Sequence, residues 1–465
     1  MFSAARSRVR GARGLRAIAC VVDAEEHVLI STTQLEVVRN TLPAVQARVA
    51  AAGEGFTKHF YARMFAAHPE LKNVFNLQNQ KTGRQQKALF SAVAASAVSV
   101  LETGELPRDM LEGIHQKHCA LNVQPGQYSV VGEHILGTIR EVLTPAPEVL
   151  DAWGALYGAI AAHAIEREEV IYKEAEAKTG GWRGERDFVV ARRKMQQVAL
   201  PSSDVMEFDF TPKDGKPVSS FIPGQYTTLW VQGEGCEFRQ PRHYTLLPWS
   251  FPYVTPGLSI AVKNLEGGMV SKHLHENVRE GDVVQLSPPF GNFHINHAAQ
   301  LWVADTLAPV VLLSAGVGIT PTLSMLASLK NQRPVLWLHA AQNGRQHPFR
   351  SYLRGLGSAN SPLANEAVSF TRRVWYEDAA WDDVRYKGDD LKEANAAMYH
   401  YDGRMDLAKV SPLLPLRDKR AMFFICGPSP WMRDVAKQLA GLGVQKDNIQ
   451  FEIFGPGTGE AILPE

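Results

Sequence analysis

The spacing of apolar residues changes twice along this 465-residue chain, and each change restricts the folds open to it. From Thr32 to about Lys178 the apolar residues recur at helical spacing, and prolines such as Pro107 and Pro125 stand near the ends of the predicted helices. From Arg186 to about His297, short β-type segments such as "YTTLWV" and "LSIAVK" alternate with Gly and Pro, as in a small antiparallel barrel. From Leu301 onward, apolar strands such as "PVVLLSAG" alternate with helical stretches, which predicts a parallel sheet covered by helices.

The sequence therefore predicts a multidomain chain: an all-α domain, then an antiparallel β-barrel domain, then an α/β domain. We place an N-terminal extension at 1–31, the helical domain at 32–178, the barrel at 179–300 and the α/β domain at 301–465. The stretch "KTGGWRG" marks a linker between the first two domains, and "LGSANSPLANEAVS" is predicted to be a loop.

Composition excludes several classes of function. The net charge is +1, and no basic cluster with interleaved aromatics occurs, so nucleic-acid binding is not expected. No run of 18 apolar residues is present, so no membrane span is expected. The four cysteines are scattered without metal-type spacing, which favours a reducing compartment over a disulfide framework.

The first 22 residues differ from the rest of the chain. They contain five arginines before the first acidic residue, Asp23, with Ala, Ser, Val and Leu between them. This pattern is typical of a mitochondrial targeting segment and lacks the apolar core of a secretory signal. We therefore expect a mitochondrial matrix protein if residues 1–31 act as a targeting segment, and otherwise a cytoplasmic one. A disordered extension or a misassigned start codon is the alternative.

A glycine-rich turn in the third block, "VVLLSAGVGITP", stands between a predicted strand and a predicted helix. Gly316 and Gly318 would let the backbone approach a pyrophosphate, Thr320 would cap the helix, and Pro321 suits its first turn. The third glycine of the dinucleotide fingerprint is missing, so a purely structural turn is the alternative. A second strand ends in "CGP" from Cys426, at the edge where nucleotides bind.

Three segments of the chain have the residue types of a flavin site. "RQPRHYTLLP" offers a cation, an aromatic face and a hydroxyl, "EGGMVSKHLH" has a helix start predicted at Val270 to Ser271, and "NIQFEIFGP" has an aromatic that could cover a flavin ring. In this order, from about Arg186 to Pro456, they resemble the ferredoxin–NADP reductase superfamily. The resemblance implies FAD binding by Tyr226, Arg242, His243, Tyr244, Thr245, Gly268, Val270, Ser271, Glu452, Ile453, Phe454, Gly455 and Pro456. It implies NAD(P) binding by Gly316, Val317, Gly318, Ile319, Thr320, Pro321, Cys426, Gly427 and Pro428.

The helical block contains "GIHQKHCALNV", in which His118 falls on an apolar helical stripe. His115 and Cys119 each lie about 100° away from that stripe. A core histidine bonded to a backbone carbonyl is one interpretation, and an axial haem ligand is the other. Glu168 lies on an inward stripe of a later helix, where a ligating His118 would give it a partner. Tyr61, Phe75, Gln85 and Leu89 are further residue types of a haem pocket.

From about Thr32 to Pro456 the chain resembles the flavohaemoglobin (nitric oxide dioxygenase) family, in the motifs "HFYARMF", "PELKNVFN", "QKH" with "QPGQY", and "VGEHIL". The resemblance implies haem b, FAD and NAD(P)H as cofactors, O2 and NO as substrates, and nitrate as the product. We separately expect a monomer. It implies that Tyr61 and Gln85 are distal residues, that His118 is the haem-iron ligand, and that Tyr128 and Glu168 support it. Lys117 and Glu452 would tune the haem and flavin, and Phe75 and Leu89 would line the haem pocket.

Two alternatives remain open from the sequence. One is an oxygen or NO sensor whose reductase only resets the haem, and the other is a general NAD(P)H oxidase or ferric reductase. The chain departs from the family pattern at Thr245, where serine is usual, although the hydroxyl is kept. The segment up to about Ser31 and the tail "GTGEAILPE" have no counterpart in the pattern.

Overall fold

The computed structural model describes residues 30–52, 54–76, 84–195, 204–232, 237–248, 257–295, 308–329, 333–356, 370–388 and 391–455. Residues 1–29 of the predicted targeting segment, almost all of the predicted loop at 356–369, and Pro456 lie outside these ranges. The side chain of Gln85 is also not described, although its backbone lies in a helix. Within the described ranges, no helix is both long enough and apolar enough to cross a bilayer.

The first third of the chain is helical, as the apolar spacing predicts. Its α-helices are α1 (Thr32–Ala52), α2 (Glu54–Ala67), α3 (Arg84–Thr103), α4 (Arg108–Ala120), α5 (Pro125–Leu143) and α6 (Pro147–Ala177), and a 3-10 helix spans Pro69–Asn73. Proline begins α5 and α6 and precedes α4 because its fixed φ suits the first turn and its missing N–H costs nothing there. Apolar faces of α1, α3, α4, α5 and α6 form one buried core around Leu35, Val100 and Leu156.

The second block is an antiparallel sheet in the order β4-β3-β6-β1-β2-β5. Its strands are β1 (Arg186–Met195), β2 (Val205–Pro212), β3 (Tyr226–Val231), β4 (Gln240–Thr245), β5 (Leu258–Lys263) and β6 (Val283–Leu286). Helix α7 (Met269–Glu276) lies between β5 and β6 in the chain. An antiparallel bridge between Leu246 and Ile260 joins the two edges, so the sheet closes into a barrel. Phe188, Phe208 and Leu286 lie in its core.

The third block is a parallel sheet in the order β10-β9-β8-β7-β11-β12 with helices on both faces. Its strands are β7 (Val310–Ala315), β8 (Val335–Ala341), β9 (Phe370–Tyr376), β10 (Tyr401–Asp402), β11 (Met422–Cys426) and β12 (Ile449–Glu452). Its helices are α8 (Ile319–Leu329), α9 (Arg350–Leu356), α10 (Leu391–Ala396) and α11 (Ser429–Gly441). Because the strands are parallel, Ser314, Cys426 and Glu452 meet at one carboxyl edge.

The helical domain packs directly on the barrel. Cys119 and Ala120 of α4 and Ile171, Tyr172 and Ala175 of α6 form one buried cluster with two aromatic residues of the barrel, Tyr226 and Phe290. A polar contact lies beside it, in which the backbone N–H of Arg239 donates to Oδ1 of Asn73 at 2.9 Å. The helix that carries the predicted haem ligand is therefore held against the predicted flavin site.

Candidate functional site

The candidate haem ligand His118 lies on α4, facing side chains from α5 and α6. Its Nδ1 lies 2.8 Å from Oε1 of Glu168 and 2.7 Å from the hydroxyl of Tyr128. The Tyr128 hydroxyl donates to the same Glu168 oxygen. A carboxylate only accepts hydrogen bonds, so Nδ1 carries the imidazole proton and Nε2 keeps its lone pair for a metal.

The charge state of this group follows from its surroundings. Burial raises the pKa of Glu168, but hydrogen bonds from His115, His118 and Tyr128 outweigh burial and hold it below its ordinary value. Burial also raises the pKa of Tyr128, and the neighbouring carboxylate raises it further. Glu168 is therefore ionised and Tyr128 protonated, which is the combination that makes a ligating imidazole more basic.

His115 belongs to the same group, and this role was missed in the sequence. Its Nδ1 lies 3.3 Å from Oε1 of Glu168, and its side chain is 2% exposed. Helical spacing places His115 and Cys119 about 100° from the apolar stripe of His118, and the structure shows that both are buried as well, because α4 is covered on two faces. The sequence feature that could have indicated this role is the i,i+3 spacing of His115 and His118, which makes the two imidazoles neighbours on one helix.

The candidate distal residues come together in an aromatic cluster. Tyr61 of α2 is 5% exposed, and its ring centroid lies 5.6 Å from those of both Phe65 and Phe75. Leu89 of α3 packs in the same cluster. Tyr157 of α6 also joins it, and its hydroxyl donates to the backbone carbonyl of Tyr128 at 2.7 Å. The distal cluster and the proximal group therefore share the helices α5 and α6.

These residues fit a haem. A third of the His118 side chain is exposed, whereas the carboxylate behind it is almost fully buried, so the imidazole borders open space. Within the described ranges no hydrogen bond involves Nε2 of His118. His115, His118 and Glu168 offer ligand atoms within 4.8 Å of one another, but both histidines direct Nδ1 at one carboxylate oxygen. With Nδ1 held by the carboxylate, Nε2 of His118 would be the ligand atom for haem iron, and Phe75 and Leu89 of the distal cluster would line the apolar part of the pocket.

The candidate flavin residues lie on the barrel strands nearest the helical domain. Tyr226 begins β3 opposite Thr245 of β4, and its ring lies 4.8 Å from that of His243. Arg242 and Tyr244 share the other face of β4, since strand side chains alternate. The Tyr226 hydroxyl is buried and has no hydrogen-bond partner among the described residues. A buried hydroxyl of this kind is costly unless a ligand satisfies it, which fits a flavin here.

Two further segments border this site. Helix α7 begins at Met269, one residue before the predicted start. Its N-cap residue is Gly268, which has no side chain to accept a hydrogen bond, so the first N–H groups of the helix are suited to an anion. Val270 and Ser271 of this helix are buried. At the end of β12, Glu452 and Ile453 are half-buried, whereas Phe454 and Gly455 are exposed. The Lys117 amine lies 3.5 Å from the Gly455 carbonyl oxygen, and partial burial raises the pKa of Glu452 against the effect of Lys117.

The candidate nucleotide residues meet at the carboxyl edge of the parallel sheet. Gly316 has a φ of +54°, and Gly318 packs so closely that a Cβ there would overlap the Cys426 carbonyl. Gly427 approaches Trp431 in a similar way, and Pro428 precedes α11. The two motifs thus touch through their backbones. Val317, Ile319 and Pro321 complete the turn and the first turn of α8.

The predicted cap of α8 was wrong. Thr320 lies inside the helix, and its hydroxyl donates to the carbonyl of Val317 at 3.0 Å. Thr320 therefore does not cap α8, and the N–H of Ile319, the first residue of the helix, donates to the carbonyls of Gly316 and Val317.

Comparison with known proteins agrees with this division of the chain. Residues 58–164 match the globin family model, residues 193–295 an oxidoreductase FAD-binding domain, and residues 312–437 an oxidoreductase NAD-binding domain. The fold is similar to the flavohemoglobin from Malassezia yamatoensis with bound FAD and heme, at 25% identity and a TM-score of 0.75, over 92% of this chain and 100% of that one. The FAD/NAD-binding domain of the nitric oxide dioxygenase from Vibrio cholerae is 33% identical over 58% of this chain and 99% of that one, with a TM-score of 0.45. The chain therefore belongs to the flavohaemoglobin family, oxidoreductases in which a haem-binding globin is fused to an FAD- and NAD-binding reductase.

Proposed function

We propose that this protein is an NAD(P)H-dependent nitric oxide dioxygenase, which converts NO and O2 to nitrate. The observation that carries the proposal is the bond from Nδ1 of His118 to the ionised, buried Glu168. A charged acceptor makes the imidazole a stronger electron donor to iron, which favours activation of O2 over its simple storage. A fused reductase supplies electrons for repeated turnover, which a storage globin does not need.

Each chain segment has a defined part in this activity. When bound, haem supplies the iron at which NO and O2 combine, and FAD divides the hydride of NAD(P)H into single electrons. Glu168 and Tyr128 keep the imidazole proton on Nδ1 and so keep Nε2 available. Tyr61 offers a hydroxyl beside the apolar side chains of the distal cluster, where it can donate to O2. We assign Gln85 the same role on the basis of the family pattern alone.

The decisive experiment measures the amount of nitrate formed for each NADH consumed. The purified holoprotein is reduced anaerobically with NADH, then mixed with O2 and NO, and nitrate and NADH are measured together. Each nitrate requires one electron beyond NO and O2, so two nitrates should form for each NADH consumed. Substantial NADH oxidation without nitrate would refute the proposal.

The same experiment separates the two alternatives. An NAD(P)H oxidase or ferric reductase would consume NADH at the same rate without NO and would yield reduced oxygen species or ferrous iron. A sensor would bind one equivalent of ligand and then stop.

We also propose that residues 1–31 direct the protein to the mitochondrial matrix and that it acts as a monomer. The arginine pattern supports the first proposal. Residues 1–31 fused to a fluorescent reporter should enter mitochondria, and the same segment with its five arginines changed to glutamine should not. The molar mass of the holoprotein, measured by light scattering, tests whether it is a monomer.

A further inference from the structure

The Gln116 side chain bridges the helical domain and the barrel. Its Oε1 accepts a hydrogen bond from the backbone N–H of Gly291, 3.0 Å away and 175 positions later in the chain. Its Nε2 donates to Oε1 of Glu112, one helical turn earlier on α4, at 2.9 Å. Both contacts require the same orientation of the amide, because reversing it would place two acceptors together and two donors together.

Glu112 is itself held from a second helix. Nε of Arg167 on α6 donates to its Oε2 at 2.8 Å, and the adjacent guanidinium nitrogen donates to its Oε1 at 3.0 Å. This two-bond pairing gives the carboxylate one defined orientation. Burial raises the pKa of Glu112, but the hydrogen bonds from Arg167 and Gln116 outweigh burial and lower it, so the carboxylate is charged. Gln116 is therefore pre-oriented towards Gly291 by its own domain.

Gly291 is an effective point of contact because it cannot move without disturbing the flavin site. Its φ is +112°, and a Cβ there would lie 2.7 Å from the ring of Tyr226. The preceding residue, Phe290, exchanges two backbone hydrogen bonds of 2.9 Å with Tyr226. A shift of Gly291 would thus shift the tyrosine that begins β3.

Gln116 also lies two residues before the haem ligand on the same helix. The next residue, Lys117, approaches the Gly455 carbonyl at 3.5 Å, so adjacent side chains hold α4 to two segments of the reductase. The neutral amide of Gln116 fixes distance, whereas the ammonium of Lys117 also changes the local potential.

We propose that Gln116 is a positioning residue for electron transfer, which fixes the separation between the haem-binding helix and the flavin-binding strand. Electron transfer between two groups slows as their separation grows, so a contact that fixes the separation also fixes the rate. The inference rests on electron transfer from the reductase to the globin, and does not depend on NO being the substrate.

The first test is Gln116→Met in the holoprotein, a change that keeps the length of the side chain and removes both hydrogen bonds. Anaerobic stopped-flow mixing with NADH should show FAD reduction at the wild-type rate and haem reduction at a lower rate than in wild type. Asp109→Asn, an exposed isosteric change on the same helix, is the matched control and should leave both rates unchanged. Equal haem reduction rates in Gln116→Met and wild type would overturn the proposal.

The second test measures the contact itself, without any catalytic readout. Hydrogen exchange of the peptide containing Gly291, followed by mass spectrometry, should speed up about tenfold for that amide in Gln116→Met, as expected for the loss of one net hydrogen bond. Exchange within the β2–β5 pair should not change. Unaltered exchange at Gly291 would show that the contact does not hold the domains in solution, and would overturn the proposal.

The absorbance of both cofactors guards against a local folding defect. Gln116→Met should keep the Soret and flavin absorbance of wild type. A variant with full absorbance at both bands whose haem is reduced at the wild-type rate would overturn the proposal. Nitrate formation is not scored in these experiments, so their failure is distinct from failure of the dioxygenase proposal.

Discussion

Nδ1 of His118 lies 2.8 Å from Oε1 of Glu168, a carboxylate 50 positions later in the chain and on a different helix. We propose that this imidazole is the haem-iron ligand and that the carboxylate is its charged acceptor. This pairing leads to the first prediction.

Glu168→Gln keeps the shape of the side chain and an acceptor oxygen but removes the charge. We expect haem to be retained and nitrate formation to fall by about 10- to 100-fold, the usual effect of losing such a supporting carboxylate. Reduction of FAD by NADH should not change, because it takes place in the other two domains. Glu166→Gln, an exposed change on the same helix, is the control, and equal nitrate rates in the two variants would contradict the assigned role.

His118→Ala should abolish haem retention and leave FAD bound. The reason is that the axial nitrogen is lost while the barrel, with its own core, is untouched. The ratio of Soret to flavin absorbance in the purified protein measures this. His115→Gln is the comparison and should keep haem. A full Soret band in His118→Ala would mean that another residue, His115 first, is the ligand.

Tyr61→Phe should speed the release of O2 without disturbing the pocket. A hydrogen bond from a hydroxyl to a charged acceptor contributes roughly 1.5–3 kcal/mol, so its loss corresponds to about a ten- to hundredfold faster dissociation. The ring is kept, so its packing against Phe65 and Phe75 should persist. Stopped-flow O2 dissociation and nitrate yield at low oxygen are measured on one sample. If both match wild type, the distal donor is another group, and Gln85 is tested next.

The two glycines of the nucleotide turn should differ in their tolerance of substitution. Gly318→Val should abolish reduction of FAD by NADH, since a side chain there overlaps the backbone at Cys426, whereas the globin should still bind O2 after chemical reduction. In Gly316→Ala the added methyl group has no neighbouring atom within 4 Å. We therefore expect only the loss in folding stability that a positive φ causes for alanine, about 1–2 kcal/mol. Anaerobic stopped-flow measurement of FAD reduction compares them. Wild-type kinetics in Gly318→Val would show that the close approach is not required.

The α/β domain should lose stability in mild acid. Burial, with Arg372 nearby, lowers the pKa of His339 to about 3, and burial lowers that of His400 to about 3. Both histidines are neutral when folded but take up protons when unfolded. Their stabilisation is therefore complete above pH 6.5 and is lost as the pH falls from 6.5 towards 3.

Each histidine contributes a slope of at most about 1.4 kcal/mol per pH unit to the free energy of unfolding. Hydrogen exchange of the β8 amides at pH 7.5, 6 and 5, corrected for intrinsic exchange rates, measures this slope. His339→Gln should reduce the slope. A protection factor that does not fall between pH 7.5 and 5 would contradict the assignment.

Much of the architecture could be predicted from local sequence. The 3.6-residue spacing and the prolines at Pro125 and Pro147 define α5 and α6, because both act within a few residues of the helix start. Short β-type segments bounded by Gly and Pro identify β1, β3, β5 and β6, and continuous apolar runs identify β7, β8 and β11. The spacing of His118 and Glu168 on inward stripes was enough to suggest that they meet.

Local sequence could not supply the contacts between distant segments. That His118, Tyr128 and His115 converge on a single oxygen of Glu168 depends on how three helices pack, and the sequence had placed His115 outside that group. The sequence pattern does not distinguish Gln116 from other helix residues, whereas in the structure its side chain contacts Gly291. Periodicity records which side of a helix is apolar, because that is a property of neighbouring residues. Which polar atoms are paired across 50 or 175 positions is decided only when the domains are packed, since packing determines which acceptors lie within reach of each buried donor.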